Sequence, residues 1–100
     1  MKHAGNDALD ALEDLLRSVR QYTQLTEKKR GTFYRKSGAF LHFHEDPAGL
    51  FADLRVGDGW ERLRVSTKAE RKVMLARLDQ TVDSPALPRR IASSRKGRSA

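Results

Sequence analysis

The sequence predicts an α+β domain in the order αββββα: a four-stranded antiparallel meander sheet with two helices packed on one face. Three observations predict it. Apolar residues recur at steps of three and four over 7–22 and again over 68–82, which is helical spacing. Between them, residues 32–65 alternate side-chain character at the strand period of two. Ser37-Gly38, Asp46-Pro47-Ala48-Gly49 and Asp58-Gly59 punctuate that stretch with turn chemistry, and connections this short join only antiparallel neighbours.

Taken in order, Asn6 is a suitable N-cap for a first helix from Asp7 to Tyr22, with Leu9, Leu12, Leu15, Leu16, Val19 and Tyr22 on one stripe. Asp7, Asp10, Glu13 and Asp14 crowd its first half, and Arg17 and Arg20 lie near its end, each the sign the helix dipole favours. Residues 23–31 break the period and read as a loop. After the strands, Thr67 and Glu70 have capping-box spacing ahead of a second helix striped by Met74, Leu75, Leu78 and Val82. Residues 83–100 combine prolines, small polar residues and Arg89, Arg90, Arg95, Lys96 and Arg98 without periodicity. They read as a disordered basic tail behind a single domain over 1–82.

The chain carries 20 Lys and Arg against 13 Asp and Glu, so polyanions or anionic surfaces are the partners its charge favours. It has no cysteine, which excludes disulfides and thiolate zinc sites. No apolar run approaches the ~18 residues of a membrane span, and the first residues lead into an acidic amphipathic segment, not a signal core. A cytoplasmic protein without a membrane partner is the expectation.

Drawn as strands, 32–65 places Tyr34, Ala39, Leu41, Phe43, Leu50, Ala52, Leu54, Val56, Leu63 and Val65 on one face, which is a core. The other face carries aromatic and basic side chains: Phe33, Arg35, Phe40, His42, His44, Phe51, Asp53, Arg55, Trp60, Arg62 and Arg64. A two-residue turn at Ser37-Gly38 sets Arg35 opposite Phe40 and Phe33 opposite His42. The Asp46–Gly49 loop sets His42 opposite Asp53, His44 opposite Phe51 and Phe40 opposite Arg55. A two-residue turn at Asp58-Gly59 sets Asp53 opposite Arg64 and Arg55 opposite Arg62. In these rows Asp53 is ionised and raises the pKa of His42, while the Arg55–Arg62 repulsion asks for an anion between them.

Rings beside arginines are what a single strand of nucleic acid requires, since bases stack while guanidinium groups hold phosphates. The candidate site is therefore Arg35, Phe40, Phe51, Arg55, Trp60, Arg62 and Arg64. Cover by the tail, by residues 23–31 or by a second copy occupies the same face, so a homodimer or protein-binding module is the alternative. His42-Phe43-His44 puts two imidazoles on one face ~7 Å apart, and Glu45 and Asp46 follow, but an imidazole pairing with Asp53 explains it as well. A terminal amine with His3 third in the chain chelates Cu(II) or Ni(II) in general, yet arises by chance. No metal or cofactor is expected. Nor is catalysis: no serine or threonine shares a row with His42 and Asp53, and P-loop and GxGxxG motifs are absent.

Gly31-Thr32-Phe33-Tyr34-Arg35-Lys36-Ser37-Gly38-Ala39-Phe40 supplies a glycine, an aromatic strand, a second glycine and a second aromatic strand; Gly59-Trp60 opens the last strand, and a helix ends the domain. In these features the stretch from Leu15 to Val82 resembles the MmcQ/YjbR-like small bacterial proteins. The chain departs from their pattern in lacking a proline before the first strand aromatic and a helical insertion before the Gly-Trp strand. His42-Phe43-His44-Glu45-Asp46 is also outside it. The resemblance implies a double-wing α+β fold related to bacterial frataxin, a DNA- or protein-interaction role, and no catalytic residues.

Overall fold

In the computed structural model, which describes residues 1–82, the alternating stretch forms an antiparallel sheet with helices against its apolar face, so the α+β class holds. The count differs. The elements are β1 (Lys2–His3), α1 (Asn6–Ala11), α2 (Glu13–Val19), β2 (Leu25–Lys29), β3 (Thr32–Arg35), β4 (Gly38–Asp46), β5 (Gly49–Val56), β6 (Gly59–Arg64) and α3 (Lys68–Val82). The six strands run in the order β2-β3-β4-β5-β6, with β1 paired to the far end of β4. The expected tail, 83–100, lies outside the described residues.

The first helix bends at Leu12, whose N–H reaches the carbonyls of both Ala8 and Leu9 and whose side chain is fully buried. Gly5, not Asn6, is its N-cap, and the Gly5 N–H donates to Glu45 on β4 at 2.6 Å. α3 starts as expected. Thr67 Oγ1 accepts the Glu70 N–H at 3.1 Å, and Glu70 Oε1 accepts the Thr67 N–H at 2.9 Å. Leu12, Leu16 and Val19 meet Met74, Leu78 and Val82 over Leu41, Phe43, Ala52 and Leu54, all nearly or fully buried. Among the described residues, no helix is long and apolar enough to cross a membrane.

β3 is where the expected faces fail. Lys36 and Ser37 make the turn, with Lys36 at φ 61°, so Arg35 pairs with Gly38 and Tyr34 with Ala39. Phe40 is then an extra residue, a bulge, and beyond it Phe33 pairs with Leu41. The changed phase sends Phe33 into the core at 1 % exposure, and Phe40 is buried with it. Tyr34 and Ala39 take the other face. Burying a whole phenyl ring outweighs the local irregularity, since such a side chain contributes ~1.5–3 kcal/mol on burial.

β2 forms where the sequence reads as a loop. Leu25-Thr26-Glu27-Lys28-Lys29 lacks apolar alternation because charge holds its helix-facing position. Glu27 pairs with Phe33 across the ladder and takes Arg20 Nε from the end of α2 at 2.6 Å. It also accepts the Gly31 N–H at 2.9 Å. Arg20 and Arg30 both donate to Glu13, at 2.9 and 2.8 Å, which closes the network. The Arg20 guanidinium, helped by the Gly31 N–H, holds the Glu27 carboxyl below its usual range against the opposing effect of burial.

A lowered folded pKa stabilises above the ordinary carboxylate value and is lost as pH falls through the folded one. Glu27→Gln is expected to cost about 1 kcal/mol at neutral pH. That corresponds to a fall of ~4–8 °C in Tm. Near pH ~2.5 the two proteins should melt much closer together. Thermal melts at both pH values check it, and a gap that does not narrow removes the ion pair from the account of β2.

Candidate nucleic-acid and anion interface

The β4–β5 ladder has the expected register, with His42 opposite Asp53 and His44 opposite Phe51. The β5–β6 ladder does not. Gly57, at φ 60°, and Asp58 make the turn, so Val56 pairs with Gly59 and β6 moves by two positions. A shift of two keeps every residue on its face and changes every partner. Asp53 faces Arg62, Arg55 faces Trp60, and Phe51 faces Arg64. The Arg55–Arg62 juxtaposition does not occur, and the repulsion that asked for an anion disappears with it.

Arg62 instead closes a fork on Asp53, donating from Nε to Oδ1 at 2.7 Å and from Nη2 to Oδ2 at 2.8 Å. This charged, paired contact pulls the Asp53 carboxyl below its usual range despite its burial at 8 % exposure. Arg64 lies 3.4 Å from Glu70 and over the Phe51 ring. Both arginines therefore already have acidic partners.

The remaining site residues gather elsewhere. At the turn end of the sheet, Arg35, Lys36, Phe40, Arg55, Trp60 and Thr81 line a groove of about 720 Å³. Arg35 sits on the helix side and donates to the carbonyls of Thr81 and Val82, both at 3.3 Å, capping the end of α3. Its guanidinium stands 5.6 Å from the Phe40 ring centroid, and that of Arg55 stands 5.3 Å from the Trp60 ring. Trp60 is 44 % exposed; Phe40 is closed to a ligand base. Arg35, Lys36 and Arg55 make no ion pair among the described residues. The structure thus brings together Arg35, Phe40, Arg55 and Trp60, and leaves Phe51, Arg62 and Arg64 farther along the face. Lys36 joins the groove only through its place in the turn, a role its residue type did not signal.

Beside Trp60 the face is imidazole. β1 sets His3 opposite His44, next to His42 on the same strand. His42 Nδ1 lies 3.1 Å from His44 Nε2, which lies 3.1 Å from Asp53 Oδ2. The Trp60 ring packs on His42 with centroids 4.8 Å apart. Burial, then the His44 charge, push the His42 pKa down; Asp53 acts the other way and does not prevail, contrary to the expected rise. One nitrogen each of His3, His42 and His44 lie within 4.8 Å of one another.

Comparison with protein-family models, curated proteins and solved structures finds no match to this chain.

Proposed function

We propose that this chain binds a polyanion, a single strand of nucleic acid, in the groove formed by Arg35, Lys36, Arg55 and Trp60. One observation carries the reading: three cations without acidic partners among the described residues converge on a groove beside an exposed indole. Guanidinium and ammonium groups attract phosphates along a strand, and the flat ring accepts an unpaired base for ~1–3 kcal/mol. A duplex presents no free base face to Trp60, so single strands are favoured. The basic residues beyond Val82 add attraction that is indifferent to sequence. The resemblance to MmcQ/YjbR-like proteins implies a DNA- or protein-interaction role, which includes this class of partner, and a cytoplasmic location is part of the proposal.

Trp60 is the chain's one tryptophan, so its fluorescence reports the groove directly. Titration with single-stranded and duplex oligonucleotides at several salt concentrations, with a chelator present, is expected to quench it more strongly with the single strand. Trp60→Ala should weaken binding and leave the salt slope nearly intact, because stacking releases no counterions; anisotropy of labelled oligonucleotide measures it. Arg55→Ala and Lys36→Gly should each lower the slope by about 0.7. Lys36→Gly is a clean variant, since glycine adopts the turn's positive φ without strain. If truncation after Val82 abolishes binding and Trp60→Ala changes nothing, the groove is not the site. A dimeric mass with Trp60 shielded from a soluble quencher would give the face to a protein partner instead.

A further inference from the structure

We infer that His3, His42 and His44 form a binding site for a divalent transition ion of the zinc type, with three imidazole ligands and one position left for water. The three rings come from two chain segments and converge on one face of the sheet, with their nearest nitrogens inside 4.8 Å. Zinc–imidazole bonds of about 2.0–2.1 Å in a tetrahedral arrangement put ligand nitrogens roughly 3.4 Å apart. His42 Nδ1 and His44 Nε2, at 3.1 Å, stand close to that spacing already. The His3 nitrogen lies within 4.8 Å of the other two, on an exposed two-residue strand.

A metal-free explanation accounts for two of the rings. His44 Nε2 lies 3.1 Å from both Asp53 Oδ2 and His42 Nδ1, so one proton on that nitrogen can serve these contacts without an ion. It gives His3 nothing to do. That ring lies 4.8 Å from the His44 ring and 5.9 Å from the His42 ring at tilted angles, and β1 has no buried side chain to fix it there. The neighbourhood also suits a cation in charge and softness. Three nitrogen donors with no thiolate favour zinc, copper or nickel over magnesium or calcium. Asp53, buried and clamped by Arg62, lies with Oδ2 3.1 Å from His44 Nε2 and sets a negative charge beside that nitrogen, which favours a cation there. Three protein ligands with an open position is the arrangement of reactive zinc sites, whereas structural sites close all four. The site shares no ligand with the anion groove, so either can fail alone.

The test uses the full chain stripped with a chelator and titrated with Co(II), followed by Zn(II) competition. One equivalent is expected, with the visible absorption of a four-coordinate cobalt site and with quenching of Trp60, which packs on His42. His3→Ala, His42→Ala and His44→Ala should each weaken the ion by more than the ~10–100-fold that loss of an outer hydrogen-bond partner costs at metal sites in general. His3→Ala keeps the test meaningful if the strand variants unfold, because His3 is exposed and outside the core. Two residues added ahead of Met1 should change nothing, since the site does not use the terminal amine. Absence of stoichiometric binding, affinity untouched by His3→Ala and His44→Ala, or its loss on N-terminal extension alone overturns the site.

Discussion

Phe33→Ala is expected to cost ~3–5 kcal/mol. For a domain of this size that lowers Tm by more than ~12 °C. The ring is 1 % exposed among the helices and the apolar sheet face, and its removal leaves a cavity that rigid neighbours cannot fill. Leu54→Ala, at a fully buried position on β5, should fall in the range ~2–5 kcal/mol for the same reason. Phe51→Ser lies on the opposite face, half-buried under Arg64, and should cost much less. Denaturant or thermal melts of the three variants decide the register. Were Phe33→Ala as mild as Phe51→Ser, the ring would be on the open face after all and the bulge at Phe40 would be absent.

Asp53→Ala should act in two directions. Stability falls by ~1–2 kcal/mol, reduced from the ~1.5–3 kcal/mol of hydrogen bonds to charged groups because Arg62 is half exposed and recovers water. Polyanion affinity rises, because the substitution removes a carboxylate and releases a guanidinium on the same sheet face. The salt slope should steepen by about 0.7 if Arg62 then meets a phosphate. Chemical denaturation and anisotropy measure the two effects separately. Weaker binding together with lost stability would mean that Asp53 shapes the groove as well as restraining Arg62.

The helices and the β4–β5 ladder were legible because each rests on a strong local signal. Thr67 and Glu70 write a cap, and the Asp46–Gly49 turn fixes one register whatever happens around it. β2 was illegible for a definite reason: Glu27 satisfies its inward position through Arg20, and a charge in a core-facing slot carries no hydrophobic period. The two misread turns share another cause. Ser37-Gly38 and Asp58-Gly59 both contain glycine, yet the chain turns one residue earlier in each case, with positive φ at Lys36 and Gly57. A shift of that size leaves Trp60, Arg62 and Arg64 on the predicted face and gives each a different neighbour. In β3 the added bulge also reverses the face, which is why Arg35 is found against the end of α3. His3 was out of reach because two residues pairing with the far end of β4 leave no pattern to read.

The bulge at Phe40 also bears on how this chain tolerates insertion and deletion. Changing a tight hairpin by one residue normally turns a strand over and exposes its core side chains. Here the ladder holds two registers, one for Tyr34 and Arg35 beside the turn and another for Thr32 and Phe33 deeper in the sheet, with Phe40 as the residue between them. A one-residue loss near Gly38 has somewhere to go: the bulge can be drawn into the ladder with Phe33 and Leu41 still paired, at the cost of the buried position Phe40 holds. A change of length at this tip is thus met first at Phe40 before it reaches Phe33, while Arg35 and Phe40 still tie the tip to the end of α3 and to the core.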